Sequence, residues 1–147
     1  MDVLTGVSKQ LFIKKTVFDE ICKDLSNYTY ETGGVLGLVN DTISEFEFDQ
    51  NSSRELYEYY PNTAFYERII NEKWKENNVT FAGIVHSHLY NNIISNQDIT
   101  YCREIINANS LFDKMILGIF NLSESHQIIR WYLIREDVLE EQKIKVV

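Results

Sequence analysis

The hydrophobic pattern of the first half of the chain predicts a strand, a helix and a β-hairpin. Residues 10–13 predict a short strand, and Thr16 is a candidate N-cap for a helix whose apolar positions recur with helical spacing. Those positions are Val17, Phe18, Ile21, Cys22 and Leu25. Residues 31–39 predict a glycine-bearing apolar strand that turns at Asn40 and Asp41 into a second strand. The second strand has Ile43, Phe46 and Phe48 on its apolar face, with Glu45, Glu47 and Asp49 expected to face water.

The second half of the chain predicts two further helices and three further strands. Asn62 is a candidate cap for a helix that ends near residue 77, and residues 79–85 predict a buried strand. Ser95 and Asp98 have the spacing of a capping box and open a third helix. The last two strands are predicted at 114–120 and 127–134, joined as a hairpin. With one proline and no repeat or low-complexity segment, the chain is expected to form a single compact α/β domain over residues 1–147.

Charge and composition exclude several classes of function. Fourteen Lys and Arg against 22 Asp and Glu give a net charge of −8, which repels nucleic-acid phosphates, so no nucleic-acid partner is expected. No apolar run approaches the roughly 20 residues that span a bilayer, and the N-terminal residues lack the pattern of a signal peptide. The two cysteines, Cys22 and Cys102, lie in helical apolar patterns, as buried thiols do in a reducing compartment. We therefore expect a cytoplasmic protein without a membrane partner.

A pair of histidines directly after the predicted 79–85 strand has the spacing of metal ligands. In an extended segment His86 and His88 point to the same side, so their imidazoles can converge on one ion. Zinc binds imidazole nitrogen and carboxylate oxygen, and Asp98 offers a carboxylate from the first turn of the next helix. Three protein ligands are the number typical of a catalytic zinc site, which keeps one coordination position open. An H-x-H pair alone is more often a pair of ordinary surface or loop histidines than a metal site, so the prediction of a metal site depends on the residues around it.

Two further residues could complete a hydrolytic site. Water that attacks a carbonyl beside a metal needs a base, and Glu31 is the candidate because it precedes a glycine pair that allows close backbone approach. Ser95 lies three residues before Asp98 at the same helical end, where its hydroxyl can donate to a developing oxyanion. Simpler interpretations stay open at this point: Ser95 and Asp98 as a helix cap, and Glu31 as a surface carboxylate.

Together these residues resemble the signature of the JAB/MPN (JAMM) zinc metalloproteases. The segments Glu31-Thr-Gly-Gly-Val-Leu-Gly, His86-Ser-His88 and Ser95-Asn-Gln-Asp98 match E-x-G-G-x-L-G, H-[ST]-H and S-x-x-D in the same order. The resemblance covers most of the chain, from about residue 10 to residue 134, and is to a small, stand-alone member of bacterial type. It implies a cytidine-deaminase-like MPN/JAB fold of the α+β type, in which a central mixed β-sheet is flanked by about three helices.

The resemblance also implies a site and a reaction. His86, His88 and Asp98 would hold Zn²⁺. Glu31 would act as general base for the attacking water and return the proton to the leaving amine, while Ser95 would help to hold the oxyanion. The expected substrate is a peptide or isopeptide bond at the C-terminus of a ubiquitin-like protein, cut in deconjugation or in precursor processing. E1- and E2-like conjugation proteins are expected as further partners.

Two other functions stay open, and one loop departs from the signature. The alternatives are a non-catalytic MPN-type scaffold that binds partners, and an amidase acting on a sulfur-carrier protein adduct; the complete set of ligands and base argues against the scaffold. After His88 the chain has Leu89 where Pro is usual, and six residues rather than the usual seven precede Ser95. A one-residue deletion in a loop is tolerable if Ser95 and Asp98 keep their places.

Overall fold

The computed structural model describes residues 10–50, 59–109, 112–124, 126 and 128–147. The N-terminal residues, in which no signal peptide is expected, and residue 127, at which the last predicted strand begins, lie outside the described residues. Across the described ranges, no helix is long and apolar enough to cross a membrane.

Eight strands and three helical segments make up the described parts of the chain. Their bounds are β1 Leu11–Ile13, α1 Lys15–Ser26, β2 Gly33–Val39, β3 Thr42–Phe48, α2 Thr63–Arg68, β4 Thr80–His88, α3 Asn96–Ala108, β5 Lys114–Asn121, β6 Ile129–Arg135, β7 Leu139–Gln142 and β8 Ile144–Val146. After Arg68, α2 continues as a π-helical stretch, Ile69–Trp74, and ends in a 3₁₀ turn, Lys75–Asn77.

All eight strands belong to one mixed sheet in the order β7-β6-β5-β4-β2-β3-β1-β8. β4 pairs in parallel with β5, and β1 pairs in parallel with both β3 and β8. The remaining neighbours are antiparallel. Parallel neighbours need a crossover, and α3 is the crossover between β4 and β5. The expected α+β fold, a mixed sheet flanked by three helices, is confirmed.

The two faces of the sheet are covered by different helices. α1 packs its apolar stripe against one face. That core combines helical Val17, Ile21, Cys22 and Leu25 with strand residues such as Leu36, Ile43, Val85 and Trp131. The helical stretch 63–77 and α3 cover the other face, where Tyr66, Trp74, Cys102 and Ile106 pack on Val35, Ile84, Leu117 and Ile119. Both cysteines are free and buried, as the sequence predicts.

Local signals placed most element ends correctly. Asn40 takes a left-handed conformation (φ 56°) in the turn between β2 and β3, which asparagine tolerates well. The side chain of Asn62 accepts a hydrogen bond from the Phe65 N–H and caps α2, as predicted. Asn78, also left-handed (φ 57°), ends the helical stretch at the predicted position.

Two of the sequence predictions about α1 and β3 are wrong. Thr16 does not cap α1, because the Lys14 carbonyl accepts the first helical hydrogen bond, from Phe18, and Thr16 already lies in the first turn. Asp49 does not face water but is fully buried. It points to the side predicted by alternation, but the start of α2 covers that side, and the Asn62 N–H donates to the Asp49 carboxylate at 2.9 Å.

The last strands join the two ends of the sheet. β7 pairs with β6 at one end and β8 pairs with β1 at the other, yet only Lys143 separates β7 from β8. Successive Cα atoms are about 3.8 Å apart, so the sheet must curl until its end strands meet. The Gln10 side chain donates to the Lys143 carbonyl at 3.0 Å across this junction. Neither β7 nor β8 was predicted, because residues 139–146 show little apolar alternation.

Gly83 is expected to tolerate no side chain. It lies at the irregularity in the β2–β4 pairing with φ +155°, and a Cβ there would lie 1.8 Å from the Ile116 carbonyl oxygen of β5. Gly83→Ala is expected to lower the free energy of unfolding by about 3–5 kcal/mol, because overpacking and backbone strain add. Urea denaturation followed by circular dichroism measures this. The control Thr80→Ala, at an exposed position on the same strand, is expected to stay within about 0.5 kcal/mol; equal losses would contradict the steric explanation.

Candidate metal centre

β4 and α3 bring His86, His88 and Asp98 together. β4 continues past its predicted end to His88, so both histidines lie on the strand and point to the face that α3 covers. Asp98 is in the first turn of α3. Its Oδ1 lies 3.0 Å from His86 Nε2, and its Oδ2 lies 3.1 Å from His88 Nε2. One ligand atom from each of the three residues lies within 4.8 Å of the others, which is close enough to hold one metal ion.

The orientation of the two imidazoles fits a metal ion. The other ring nitrogen, Nδ1, can donate to the Ser87 carbonyl in His86 (3.2 Å) and to the Asn91 side-chain oxygen in His88 (3.5 Å). In a neutral imidazole with Nδ1 protonated, Nε2 carries a lone pair. In that tautomer each Nε2 can bind a metal ion beside the Asp98 carboxylate, and metal-binding histidines are usually oriented through the second nitrogen in this way.

Burial and charge support the same interpretation. His86 is 2% exposed and Asp98 is 4% exposed. His86 Nε2 makes no hydrogen bond of acceptable geometry, although Asp98 Oδ1 is near it, so a buried polar atom points into the centre. Burial raises the pKa of Asp98, but its contacts with the two imidazoles and the Ser95 N–H outweigh burial and hold that pKa well below its usual range. Asp98 is therefore an anionic donor, as metal binding requires.

The capping box of α3 fixes the Asp98 carboxylate. The Ser95 Oγ accepts a hydrogen bond from the Asp98 N–H at 3.1 Å, and the Ser95 N–H donates to Asp98 Oδ2 at 3.0 Å. The predicted cap is thus confirmed in both directions. Ser95 is exposed, and its Oγ accepts in the cap, so its O–H proton can be donated to a molecule bound beside the centre. The cap and the candidate site therefore share the same two residues.

Glu31 lies beside the centre but not among the three grouped residues. It precedes β2 by two positions and is half-buried. Its Oε1 accepts a hydrogen bond from the Tyr59 N–H at 3.4 Å. Burial lowers the pKa of His88, but the negative charges of Asp98 and Glu31 outweigh it and raise that pKa. The carbonyl of Thr32, next to Glu31, accepts a hydrogen bond from the Ser87 N–H between the two histidines at 2.9 Å. Tyr59, whose N–H binds Glu31, stacks on His86, so Glu31 lies beside the centre.

The shortened loop after β4 keeps Asp98 in place. The Tyr132 hydroxyl of β6 donates to the Asn92 carbonyl at 3.1 Å and accepts from the Ile94 N–H at 3.4 Å. Within the loop, the Asn91 side chain accepts from the Ile93 N–H at 2.9 Å. These bonds hold the six-residue connection, and Asp98 still contacts both histidines.

Sequence reasoning missed Tyr59 as a neighbour of the centre. Its ring stacks on the His86 imidazole, with ring centroids 5.6 Å apart and an angle of 23° between the planes. Tyr59 is 2% exposed, and its hydroxyl donates to Asp49 at 3.0 Å. One sequence signal could have pointed to the contact between Asp49 and Tyr59: a carboxylate directly after an apolar strand, followed by a tyrosine-rich segment ahead of a helix cap.

Comparison with known proteins identifies the fold. No protein-family model matches the chain, and no curated protein sequence matches it. Among solved structures, protein DSY2949 from Desulfitobacterium hafniense is similar, with a TM-score of 0.72 and 16% identity over 94% of this chain and 93% of that one. AF2198, a JAB1/MPN domain protein from Archaeoglobus fulgidus, is similar with a TM-score of 0.56 and 15% identity, over 95% of this chain and 99% of its own.

A third solved structure carries the metal-site description. It is described as JAMM, a metalloprotease-like zinc site in the proteasome and signalosome, and has a TM-score of 0.52 and 15% identity, over 95% of this chain and 99% of its own. The chain therefore has the JAB1/MPN fold. On that fold it carries a grouped His86, His88 and Asp98 that could hold a metal ion.

Proposed function

We propose that this chain is a zinc-dependent metallopeptidase of the JAMM type. The observation that carries the proposal is the convergence of His86, His88 and Asp98, with one orphaned imidazole nitrogen among them, on the JAB1/MPN fold. Two imidazoles and one carboxylate are the donor set of a catalytic zinc site, which keeps a position open for substrate. Zinc bound there would supply a Lewis acid that polarises the scissile carbonyl.

The residues around the centre have separate roles in the proposed hydrolysis. Glu31 takes a proton from the attacking water and delivers it to the leaving amine, because it lies beside the centre without belonging to the ligand group. The Ser95 hydroxyl donates to the oxygen that becomes negative as the carbonyl is attacked. The Ser95 N–H fixes the carboxylate of Asp98, so this part of the site is organised before substrate binds.

The proposed substrate is a peptide or isopeptide bond at the C-terminus of a ubiquitin-like protein. It is supported by the JAMM resemblance of the motifs and by the fold. The net charge of −8 would favour a neutral or basic face of the partner and steer its approach. Conjugation proteins of the E1 and E2 type are the expected partners, and two buried, free cysteines fit a cytoplasmic location.

Protein purified without chelator is expected to contain about one zinc per chain, because three converging donors provide a catalytic site. Elemental analysis measures the zinc content. The activity assay uses a ubiquitin-like protein from the same genome that carries a C-terminal extension or a lysine conjugate. Mass spectrometry is expected to place the cut directly after the C-terminal tail of the ubiquitin-like protein, and chelator is expected to block it.

The third histidine provides a matched control. His126 is exposed and outside the group, so His126→Ala is expected to keep both zinc and activity, whereas His88→Ala is expected to lose both. Absence of zinc together with no uptake on titration would favour the non-catalytic scaffold. Zinc-dependent turnover of a small amide, with every ubiquitin-like candidate left intact, would instead favour the amidase acting on a sulfur-carrier adduct.

A further inference from the structure

Tyr59 touches both the candidate base and a candidate ligand. Its backbone N–H donates to Glu31 Oε1 at 3.4 Å, and its ring stacks on the imidazole of His86. Packing around this contact is tight, because a Cβ on Gly33 would lie 2.9 Å from the Tyr59 ring and 2.8 Å from the Cβ of His86. A displacement of Tyr59 would therefore move at least one of the two groups that the proposed reaction uses.

Asp49 anchors Tyr59 to the rest of the fold. Its Oδ2 accepts hydrogen bonds from the Tyr59 hydroxyl at 3.0 Å and from the Asn62 N–H at 2.9 Å. Its own N–H donates to the Gly33 carbonyl at 2.9 Å. A fully buried carboxylate is costly unless it is well hydrogen-bonded. Through its carboxylate and its backbone N–H, Asp49 therefore connects the end of β3 with Tyr59, with the cap of α2 and with the start of β2.

Two more phenols complete the buried network. The Tyr101 hydroxyl of α3 donates to the Tyr59 carbonyl at 3.0 Å, and the Tyr66 hydroxyl of α2 contacts the Tyr59 hydroxyl. Burial raises the pKa of Tyr66 and of Tyr101, and the charge of Asp49 adds to the effect at Tyr66. Both phenols therefore stay protonated, and Tyr66 can donate to Tyr59 while Tyr59 donates to Asp49.

We propose that Tyr59 is a positioning residue that holds Glu31 and His86 in their relative places, with the buried carboxylate of Asp49 as its anchor. This inference rests on the proposed hydrolytic function. A base must lie within hydrogen-bond reach of the proton that it takes, and small misplacements of reacting groups can cost about 10²-fold in rate. Tyr59 fixes the base through its backbone and the ligand through its ring, while its hydroxyl fixes Tyr59 itself.

The test compares Tyr59→Phe with Tyr66→Phe. Each variant removes one hydroxyl from the same buried cluster, but only the first breaks the bond to Asp49. Both keep the ring, and Tyr59→Phe also keeps the stack on His86 and the backbone N–H. The measurements are kcat and KM with an extended ubiquitin-like substrate, zinc affinity by competition with a chromogenic chelator, and melting temperature.

Tyr59→Phe is expected to lower kcat about 10-fold with little change in KM, because a supporting contact is lost while substrate binding is not. Tyr66→Phe is expected to keep kcat within about twofold of the wild-type value, although its melting temperature falls about as much as that of Tyr59→Phe. Asp49→Asn keeps a side-chain acceptor without the charge, so its kcat is expected to lie between that of the wild type and that of Tyr59→Phe. It serves as the second variant if Tyr59→Phe folds poorly.

Removal of the ring separates the two contacts of Tyr59. Tyr59→Leu is expected to weaken zinc binding about 10–100-fold, the usual cost of losing a residue that orients a metal ligand, whereas Tyr59→Phe is expected to bind zinc as the wild type does. Equal kcat values for Tyr59→Phe and Tyr66→Phe beside an active wild type would overturn this inference alone. A wild type without zinc or turnover would overturn the proposed function and this inference with it.

Discussion

Glu31→Gln is expected to abolish hydrolysis, with kcat lowered by about 10²–10⁴-fold, while zinc content and fold stay unchanged. The amide keeps the size and shape of the carboxylate but cannot take a proton from water, which is the role assigned to Glu31. Zinc should be retained because Glu31 lies outside the group of His86, His88 and Asp98. Single-turnover kinetics and elemental analysis of the same preparation measure the two quantities.

A carboxylate outside the candidate centre makes a suitable control for the charge change. Glu47 is part of β3 and pairs with Lys73, away from the grouped residues. Glu47→Gln is expected to leave kcat within about twofold, since a partly exposed ion pair contributes little. If Glu31→Gln lost zinc in proportion to activity, Glu31 would be a ligand and its assignment as base would be wrong.

Replacement of Ser95 is expected to separate two functions that share one residue. Ser95→Ala removes the hydroxyl that accepts from the Asp98 N–H, so it should cost about 1 kcal/mol of stability through the lost cap. It should also lower kcat by about 10²–10³-fold, which is the usual effect of removing one donor to an oxyanion. Denaturant unfolding and steady-state kinetics measure the two effects.

Glycine and threonine at position 95 resolve the two contributions. Glycine serves as an N-cap at a cost of only a few tenths of a kcal/mol relative to serine, so Ser95→Gly should restore stability but not turnover. Threonine keeps a hydroxyl and a cap, and Ser95→Thr should recover much of both. Normal turnover in Ser95→Gly would leave Ser95 with the capping role alone.

The grouping of His86, His88 and Asp98 could be predicted because it depends on local geometry. Alternation along a strand fixes the common direction of the histidines, and the capping box fixes Asp98 at the start of α3. Strand alternation and the capping box each involve only a few consecutive residues, so both can be recognised in the sequence without knowledge of the tertiary structure. The expected α+β fold depended on similar signals in β2, the helical stretch 63–77 and α3, and on the order of the motifs.

The surroundings of Glu31 could not be predicted in the same way. Tyr59 lies 28 positions from Glu31 and ten from Asp49 along the chain, and their contacts arise only when the end of β3 packs beneath the start of α2. Asp49 was predicted to face water because alternation gives the side of a strand but not what covers that side. The same limit hid β8, because its pairing depends on β1, which is distant in the sequence, while β7 shows little of the apolar alternation that predicts a strand.

The single-residue junction at Lys143 has a consequence for how the protein is made. β8 pairs with the outer edge of β1, and β7 pairs with the outer edge of β6. β1, the first described strand, therefore lacks one of its two partners until β8 has been synthesised. A nascent chain on the ribosome can form the β2–β3 hairpin early, but it carries two unpaired strand edges until residues 139–146 emerge. Unpaired edges recruit other strands. The period before residues 139–146 leave the ribosome is therefore when aggregation, or binding by a chaperone, competes most strongly with closure of the sheet.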